Sequence, residues 1–457
     1  ASNKSSCESI ASQPVSSNVI KSNISIEPGE EHTYVITFEF IEISSAQDYN
    51  QGKKFNGVIN INESTSPSGG STAVLPTWVS SCDDGSTNLK CKMIQAEKDN
   101  SLDAYPDNVS SPFVTSSSGI DFTKTNDGDW VEPYNSWESY SGVDNSNGKG
   151  LYYTTDSTKT ENGESVFYYR GAVENNYLIF GGFCWRIIRT TEEGDIKLRY
   201  DGVPTEGSCP QTGTQTYISY AEYNKADNDN AYVGYMYGTI GAGSYAATHS
   251  NTTDSNIKKV LDAWYIGGTT SALECHSNTT YNDFKNCDFT SLATKLSDYS
   301  ALIADTPYCN DRSIGAGGTW DYNEYTELGY GTNLTLYGSM GRLFRDGEEW
   351  SNANSNPTYK CANNNDKFTL KVANGGTNGF GNNALSYPIG LITADEVVFA
   401  GGTGHSFNET YFLDTNKNYY TMTPSFYNTG TADIARIGYD GDLALNTVIN
   451  GWMNNTV

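Results

Sequence analysis

Three groups of side chains have the types and spacing for chemistry. Arg345-Asp346-Gly347-Glu348-Glu349-Trp350 carries Asp346, Glu348 and Glu349 within one turn, and paired carboxylates are what glycoside hydrolysis uses as acid and base. In so acidic a chain, one such turn reads first as solvated surface. Trp320, Tyr322, Tyr325, Tyr330 and Tyr337 lie among Asn, Asp, Gly and Thr. That mixture suits stacking on sugar rings while amides and carboxylates bond the hydroxyls, and equally suits a polar, tyrosine-packed core. Trp320, Tyr322, Tyr325, Asp346 and Glu348 are the expected ligand-binding residues. Asp414-Thr415-Asn416-Lys417-Asn418 sets oxygens at alternate positions, as the first half of an EF-type loop does. Tyr419 stands where the turn glycine belongs and Ser425 where the bidentate Glu should be, so a full EF-hand is excluded. Asp414, Asn416 and Asn418 are expected to form an irregular calcium site, and Asp227-Asn228-Asp229-Asn230 offers a further oxygen cluster.

The usual catalytic signatures are missing. GxxxxGK[ST], HExxH and GxSxG do not occur, and Tyr337-Gly338-Ser339-Met340-Gly341 lacks the first glycine of the last. Gly379-Phe380-Gly381 has no strand-turn-helix context for a dinucleotide. His32, His249, His276 and His405 are isolated from one another and read as solvated loop histidines. The expected function is therefore non-enzymatic.

Nine cysteines, Cys7, Cys82, Cys91, Cys184, Cys209, Cys275, Cys287, Cys309 and Cys361, contain no CxxC, which disfavours a zinc ribbon or a redox pair and favours structural disulfides. Spacing suggests Cys82–Cys91, Cys184–Cys209, Cys275–Cys287 and Cys309–Cys361, with Cys7 left unpaired. An exported, extracellular chain is expected. Asn-x-Ser/Thr triplets, Asn251 and Asn333 among them, would be accessible to glycosylation there. With 28 Lys and Arg against 54 Asp and Glu, the net charge is −26, and no basic run exceeds two residues. A nucleic-acid partner is excluded on that ground, and no apolar run is long enough to span a membrane. The chain begins at Ala1 without a basic-then-apolar leader, so any signal segment or anchor is expected to lie outside it.

The elements that must position these residues fall into three regions. Residues 1–64 alternate apolar and polar through Ile36, Phe38 and Phe40 and read as a small β-sandwich-like module. Residues 65–150 are rich in Ser, Gly and Asn and read as loops anchored by Trp78, Trp130 and Trp137. Residues 151–457 read as an α+β domain. Its expected strands include Tyr177–Phe180, Phe183–Arg189 and Ile196–Tyr200, the last with apolar and basic residues alternating as on a half-exposed sheet. Ser255 or Asp254 caps a helix over Ile257–Tyr265, and Leu292, Leu296, Tyr299 and Ile303 mark a second. Thr393-Ala394-Asp395-Glu396 starts a third, stopped by Gly401-Gly402. Tyr419–Thr423, Ile434–Tyr439 and Leu443–Val448 are strands.

Tyr169-Arg170-Gly171, Trp185-Arg186-Ile187-Ile188-Arg189, Tyr232-Val233-Gly234-Tyr235-Met236-Tyr237-Gly238, Cys309-Asn310-Asp311-Arg312 and Tyr387–Glu396 resemble segments of large prepilin-type surface proteins of gut Gram-positive bacteria. Leu391–Glu396 with Tyr419–Pro424 also resembles the late part of the formylglycine-generating-enzyme and C-type-lectin-like fold group. The catalytic cysteine pair of that enzyme branch and the Glu-Pro-Asn and Trp-Asn-Asp motifs of calcium-dependent lectins have no counterpart here. The resemblance implies a disulfide-stapled, C-type-lectin-like domain in a pilus-associated, adhesin-like surface protein that binds a glycan or another extracellular ligand. The alternatives are a self-associating subunit of an extracellular filament and, third, a carbohydrate-active enzyme.

Overall fold

The computed structural model describes residues 89–93, 114–116, most of 150–449, and 454–455. All of them belong to the larger of the two units into which the chain divides, Leu75–Val457. The module expected over 1–64, nearly all of the loop region 65–150, and Cys7 and Cys82 lie outside the described residues.

Runs of aromatic and β-branched residues between 150 and 200 build the first sheet. It comprises β1 (Val114–Ser116), β2 (Gly150–Thr154), β3 (Val166–Arg170), β4 (Tyr177–Phe180), β5 (Phe183–Thr190) and β6 (Ile196–Tyr200). Only β1–β2 is parallel; the remaining pairs are antiparallel. β5 is the axis, with β3 and β4 along one edge and β6 along the other. Every residue of β2, β3 and β5 is buried, which explains why these strands read as continuous apolar runs rather than alternating ones. The β4–β5 turn needs glycine. Gly182 sits at φ +82°, and a Cβ there would meet the Thr294 hydroxyl at 2.5 Å.

The second sheet gathers β7 (Ser219–Ala221), β10 (Cys275–His276), β11 (Phe284–Lys285), β13 (Thr335–Leu336), β17 (Tyr419–Asn428), β18 (Thr431–Ile437), β19 (Leu443–Thr447) and β20 (Asn454–Asn455). Three two-stranded ribbons complete the β structure: β8 (Met236–Tyr237) with β9 (Thr253–Asp254), β12 (Tyr308–Cys309) with β16 (Lys367–Phe368), and β14 (Arg345–Asp346) with β15 (Glu349–Trp350). The expected late strands are present, and β17 runs through Pro424 to Asn428 by means of register shifts around the proline.

Helix α1 (Asn256–Ile266) starts at Ser255, whose side chain accepts from the Lys258 amide, and stops at Gly267 in the left-handed conformation. Its Trp264 packs on Phe183 and Tyr200 with ring centroids 5.1 and 5.3 Å apart. Helix α2 (Ala394–Phe399) carries the expected capping box between Thr393 and Glu396, and all six of its residues are buried. The pattern from Leu292 to Ile303 gives instead a 3-10 helix, Leu296–Leu302, whose first residue has no side-chain cap. Three residues per turn align Leu296, Tyr299 and Leu302 rather than a broad apolar face; Leu296 is buried and Leu302 is 75% exposed.

Two apolar cores result. One joins Phe183, Trp185 and Tyr200 to α1 and to Tyr420 and Met422 of β17. The other joins β2 and β3 to α2 and to Tyr419, Ala435, Ile437 and Leu443. The architecture is α+β, antiparallel in the main and stapled by disulfides. Two expectations are corrected. The basic residues of β6 do not face solvent: Lys197 and Arg199 are buried, because Glu396 and Asp201 supply counter-charges at 2.8 and 2.6 Å. His249 is not a solvated loop residue either. It is fully buried, its ring tilted against that of Tyr245 at 4.4 Å, with Nε2 2.9 Å from the Gly329 carbonyl, and burial pulls its pKa well down.

Candidate functional site: a charged cleft

The Cys309–Cys361 disulfide, with Cα atoms 5.8 Å apart, borders a cavity of about 270 Å³. Five cations and five carboxylates line it: Arg189, Lys197, Arg342, Lys360 and Lys367 against Glu161, Glu192, Asp311, Asp395 and Glu396. Few sites in an acidic protein hold so many cations, and the local sequence explains how each is placed.

Glu396 comes from the first turn of α2. Thr393 Oγ1 accepts from the Glu396 amide at 3.1 Å, and the Thr393 amide donates back to Glu396 Oε2 at 2.9 Å. The capping box thus orients the side chain with bonds separate from its ion pairs. Its other oxygen, Oε1, accepts from Arg189 Nε and from Lys197 Nζ, both at 2.8 Å. Arg189 and Lys197 are cross-strand partners on β5 and β6, next to a register shift that follows Ile187. Arg189 lies over the Tyr359 ring at 4.5 Å and Lys197 over Tyr308 at 4.9 Å, so aromatic faces carry part of each cation's solvation. Burial alone would raise the Glu396 pKa. Lys197 and Arg189 outweigh it and hold the carboxyl at about 2. Lys197, sharing that carboxylate with Arg189, is drawn below its ordinary value by burial and by the Arg189 charge.

A second set stands beside the first. Arg342 holds Asp395 with two parallel bonds, Nε to Oδ1 at 2.7 Å and Nη2 to Oδ2 at 2.8 Å, and reaches Asp311 Oδ2 at 3.1 Å. Lys367 Nζ meets Glu161 Oε1 at 2.8 Å, and the same oxygen accepts from the Cys361 amide. Arg189 also reaches Glu192, at 3.4 Å. Lys360 is different. It is exposed and has no ion-pair partner among the described residues, and Thr306 and Asn364 stand at the same cleft with side chains uncommitted.

Beneath the cleft, Cys309-Asn310-Asp311-Arg312 is pinned by a fully buried pair. Arg312 Nε bonds Asp366 Oδ1 at 2.8 Å, and Arg312 Nη1 donates to the Met236 carbonyl at 2.9 Å. Burial pushes the Asp366 carboxyl up while Arg312 pulls it down, with burial the larger. Asn310 Nδ2 donates to the Met422 carbonyl at 2.7 Å, and its Oδ1 accepts from the Tyr235 amide. The segment therefore ties β17 to the ribbons around the cavity.

Most of the residues expected to bind a ligand are not described by the structure. Trp320, Tyr322, Tyr325 and Glu348 lie outside the described residues, and Asp346 lies in β14 in register with Glu349. Tyr337 is a core residue whose hydroxyl donates to Asn230 Oδ1 at 2.7 Å. The expected calcium loop is a turn: Asp414 Oδ1 accepts from the Asn416 amide, Asn416 sits at φ +55°, and Asn418 Oδ1 accepts from Arg436. Among the described residues, no group of three or more His, Cys, Asp or Glu is placed to hold a metal ion. Cys184–Cys209, Cys275–Cys287 and Cys309–Cys361 are bonded as their spacing suggested. Cys91 is also disulfide-bonded, to a partner outside the described residues. The cleft residues themselves escaped sequence reasoning. Their signal was present in the basic residues set inside the apolar strands β5 and β6, and in an acidic pair opening an otherwise apolar helix.

No protein-family model, characterised protein or solved structure matches this chain. Fold and site define a class by their own features: a disulfide-stapled α+β domain with two cores and an ion-paired polar cleft. Among the described residues no helix is long and apolar enough to cross a membrane.

Proposed function

We propose that the chain is an exported, non-enzymatic surface protein, adhesin-like in role, whose C-type-lectin-like domain binds a small hydroxyl-bearing anion such as an acidic sugar in the cleft. The observation that carries this reading is the division of labour among the cleft's charges. Nine of the ten are committed to partners within the protein, which makes a rigid polar wall with neither an uncommitted base nor an activated nucleophile. Lys360, Asn364 and Thr306 remain available. An ammonium suits a carboxylate, and an amide with a hydroxyl suits neighbouring ring hydroxyls. The cavity has room for about one sugar ring. Three disulfides fit an oxidising compartment.

A glycan array followed by calorimetry tests the reading. Uronic-acid or sialylated glycans are expected to bind, their neutral counterparts at least tenfold more weakly, and Lys360→Ala to remove that preference while leaving the melting temperature unchanged. Equal binding of neutral and acidic sugars, or an unaffected Lys360→Ala variant, would overturn it.

A further inference from the structure

A second polar site lies apart from the cleft, where the 227–230 loop meets the end of the second sheet. Asp433 of β18 is 9% exposed, and its carboxylate has neither a hydrogen bond nor an ion pair among the described residues. It faces Thr447 of β19 in the strand register. The Thr447 hydroxyl donates to Asp227 Oδ2 at 3.2 Å, and the Asp227 charge acts directly on Asp433. Thr447 thus has Asp227 on its hydroxyl and Asp433 as its cross-strand neighbour.

The neighbouring acid is not a third member of this group. Asp229 spends both oxygens on the backbone, Oδ1 accepting from the Ala231 amide and Oδ2 from the Gly241 amide, each at 2.8 Å. Its task is to fix the loop that presents Asp227. Tyr232 and Tyr427 feel the Asp229 charge, and Tyr427 that of Asp227 as well. Among the described residues no cationic side chain is paired with Asp433, on which burial and the Asp227 charge act.

We propose that Asp227, Asp433 and the Thr447 hydroxyl form a binding site for a hard divalent cation, calcium in an extracellular setting. All three donors are oxygens, which disfavours zinc and copper. Only two are carboxylates, so water must supply the rest of the shell. Calcium accepts such a mixed, irregular set more readily than magnesium, which demands near-octahedral geometry. A protein of net charge −26 also raises the local concentration of any divalent cation. The inference is independent of the sugar-binding reading and uses none of its residues.

The test is calcium titration of protein stripped with chelator at pH 8, read by calorimetry and thermal melting. Wild type is expected to bind one calcium at this site and to melt roughly 2 °C or more higher at a hundredfold excess over Kd. Asp433→Asn should lose that response, and Asp414→Asn, in the turn at 414–418, should keep it. Should Asp433→Asn not fold, Asp227→Asn serves the same purpose, because it removes the other carboxylate. A wild-type protein indifferent to calcium, or a response that survives both Asp433→Asn and Asp227→Asn, overturns the proposal.

Discussion

Glu396 and Asp433 are both carboxylates withdrawn from water in the same α+β domain, 2% and 9% exposed, yet their surroundings drive them to opposite states. Around Glu396, β5 and β6 deliver Arg189 and Lys197 at 2.8 Å, and the carboxyl sits at about 2. Around Asp433 the charge that acts is that of Asp227. Burial and that like charge push its carboxyl up to about 7. The difference teaches that burial does not by itself set the charge of a side chain in this molecule; the counter-charges supplied from distant segments do. Glu396 and Lys197 are 199 residues apart in sequence, so the cleft exists only once α2 is docked on the first sheet.

Removing the carboxylate from the cleft should produce the largest effect. Glu396→Gln can keep the capping hydrogen bonds of Thr393, since glutamine also serves in a capping box, but it leaves Arg189 and Lys197 buried against each other. Breaking a buried pair from one side costs about 3–5 kcal/mol, measurable by urea unfolding at pH 7. A loss below about 1 kcal/mol would mean that the two cations reach water without the rest of the fold noticing, and the contrast with Asp433 would collapse. The pH dependence has a definite sign. A folded pKa of about 2 against an unfolded value of about 4.3 gives stability that is fully present above pH 5 and lost as pH falls towards 2. Glu396→Gln should lack that acid-side decline.

Next in size is the disulfide at the cleft wall. Cys309 and Cys361 are separated by 52 residues, and replacing both with Ala should cost about 2–4 kcal/mol through release of the unfolded chain. The loss should also loosen the wall that carries Lys360, weakening ligand binding at temperatures where the variant remains folded. Intact affinity in the reduced or Ala variant would show that the Arg342–Asp395 and Lys367–Glu161 pairs hold the cleft unaided.

These regions differ too in how far they were legible beforehand. Both α2 and its capping box were readable because Thr393 and Glu396 act locally, three residues apart. The strands β4 to β6 were readable for the same reason, and so were three disulfides whose cysteines happen to pair with neighbours in sequence. The burial of Lys197 and Arg199 was not, because an alternating apolar–basic strand looks identical whether its polar face meets water or a carboxylate from another segment. His249 misled in the same way: beyond its neighbour Tyr245, its burial depends on the Gly329 carbonyl and on Tyr337, which lie 80 or more residues further along the chain. Asp227 belongs to a visibly oxygen-rich loop, but Asp433 sits in an ordinary-looking strand. Only the β18–β19 register reveals it.

The smallest effect expected is also the one that discriminates best between the two environments. A pKa raised from about 3.9 in the unfolded chain to about 7 in the folded protein means that the folded state holds the extra proton. Asp433 therefore contributes stability below about pH 4 that is lost as pH rises to 7 and beyond, the reverse of Glu396. Glu222, raised to about 7 by burial alone, slopes the same way. In calcium-free buffer, Asp433→Asn should leave stability near pH 4 unchanged and exceed that of wild type at pH 8, as read by urea unfolding at the two pH values. Glu222 and Asp366, both raised by burial, would contribute to the remaining slope. Adding calcium should reverse the ranking at pH 8, because the cation relieves in wild type the repulsion that the substitution removes. If the variant instead loses stability at pH 8 without calcium, Asp433 has a favourable partner, and the two carboxylates are governed by the same rule of compensation rather than by opposite ones.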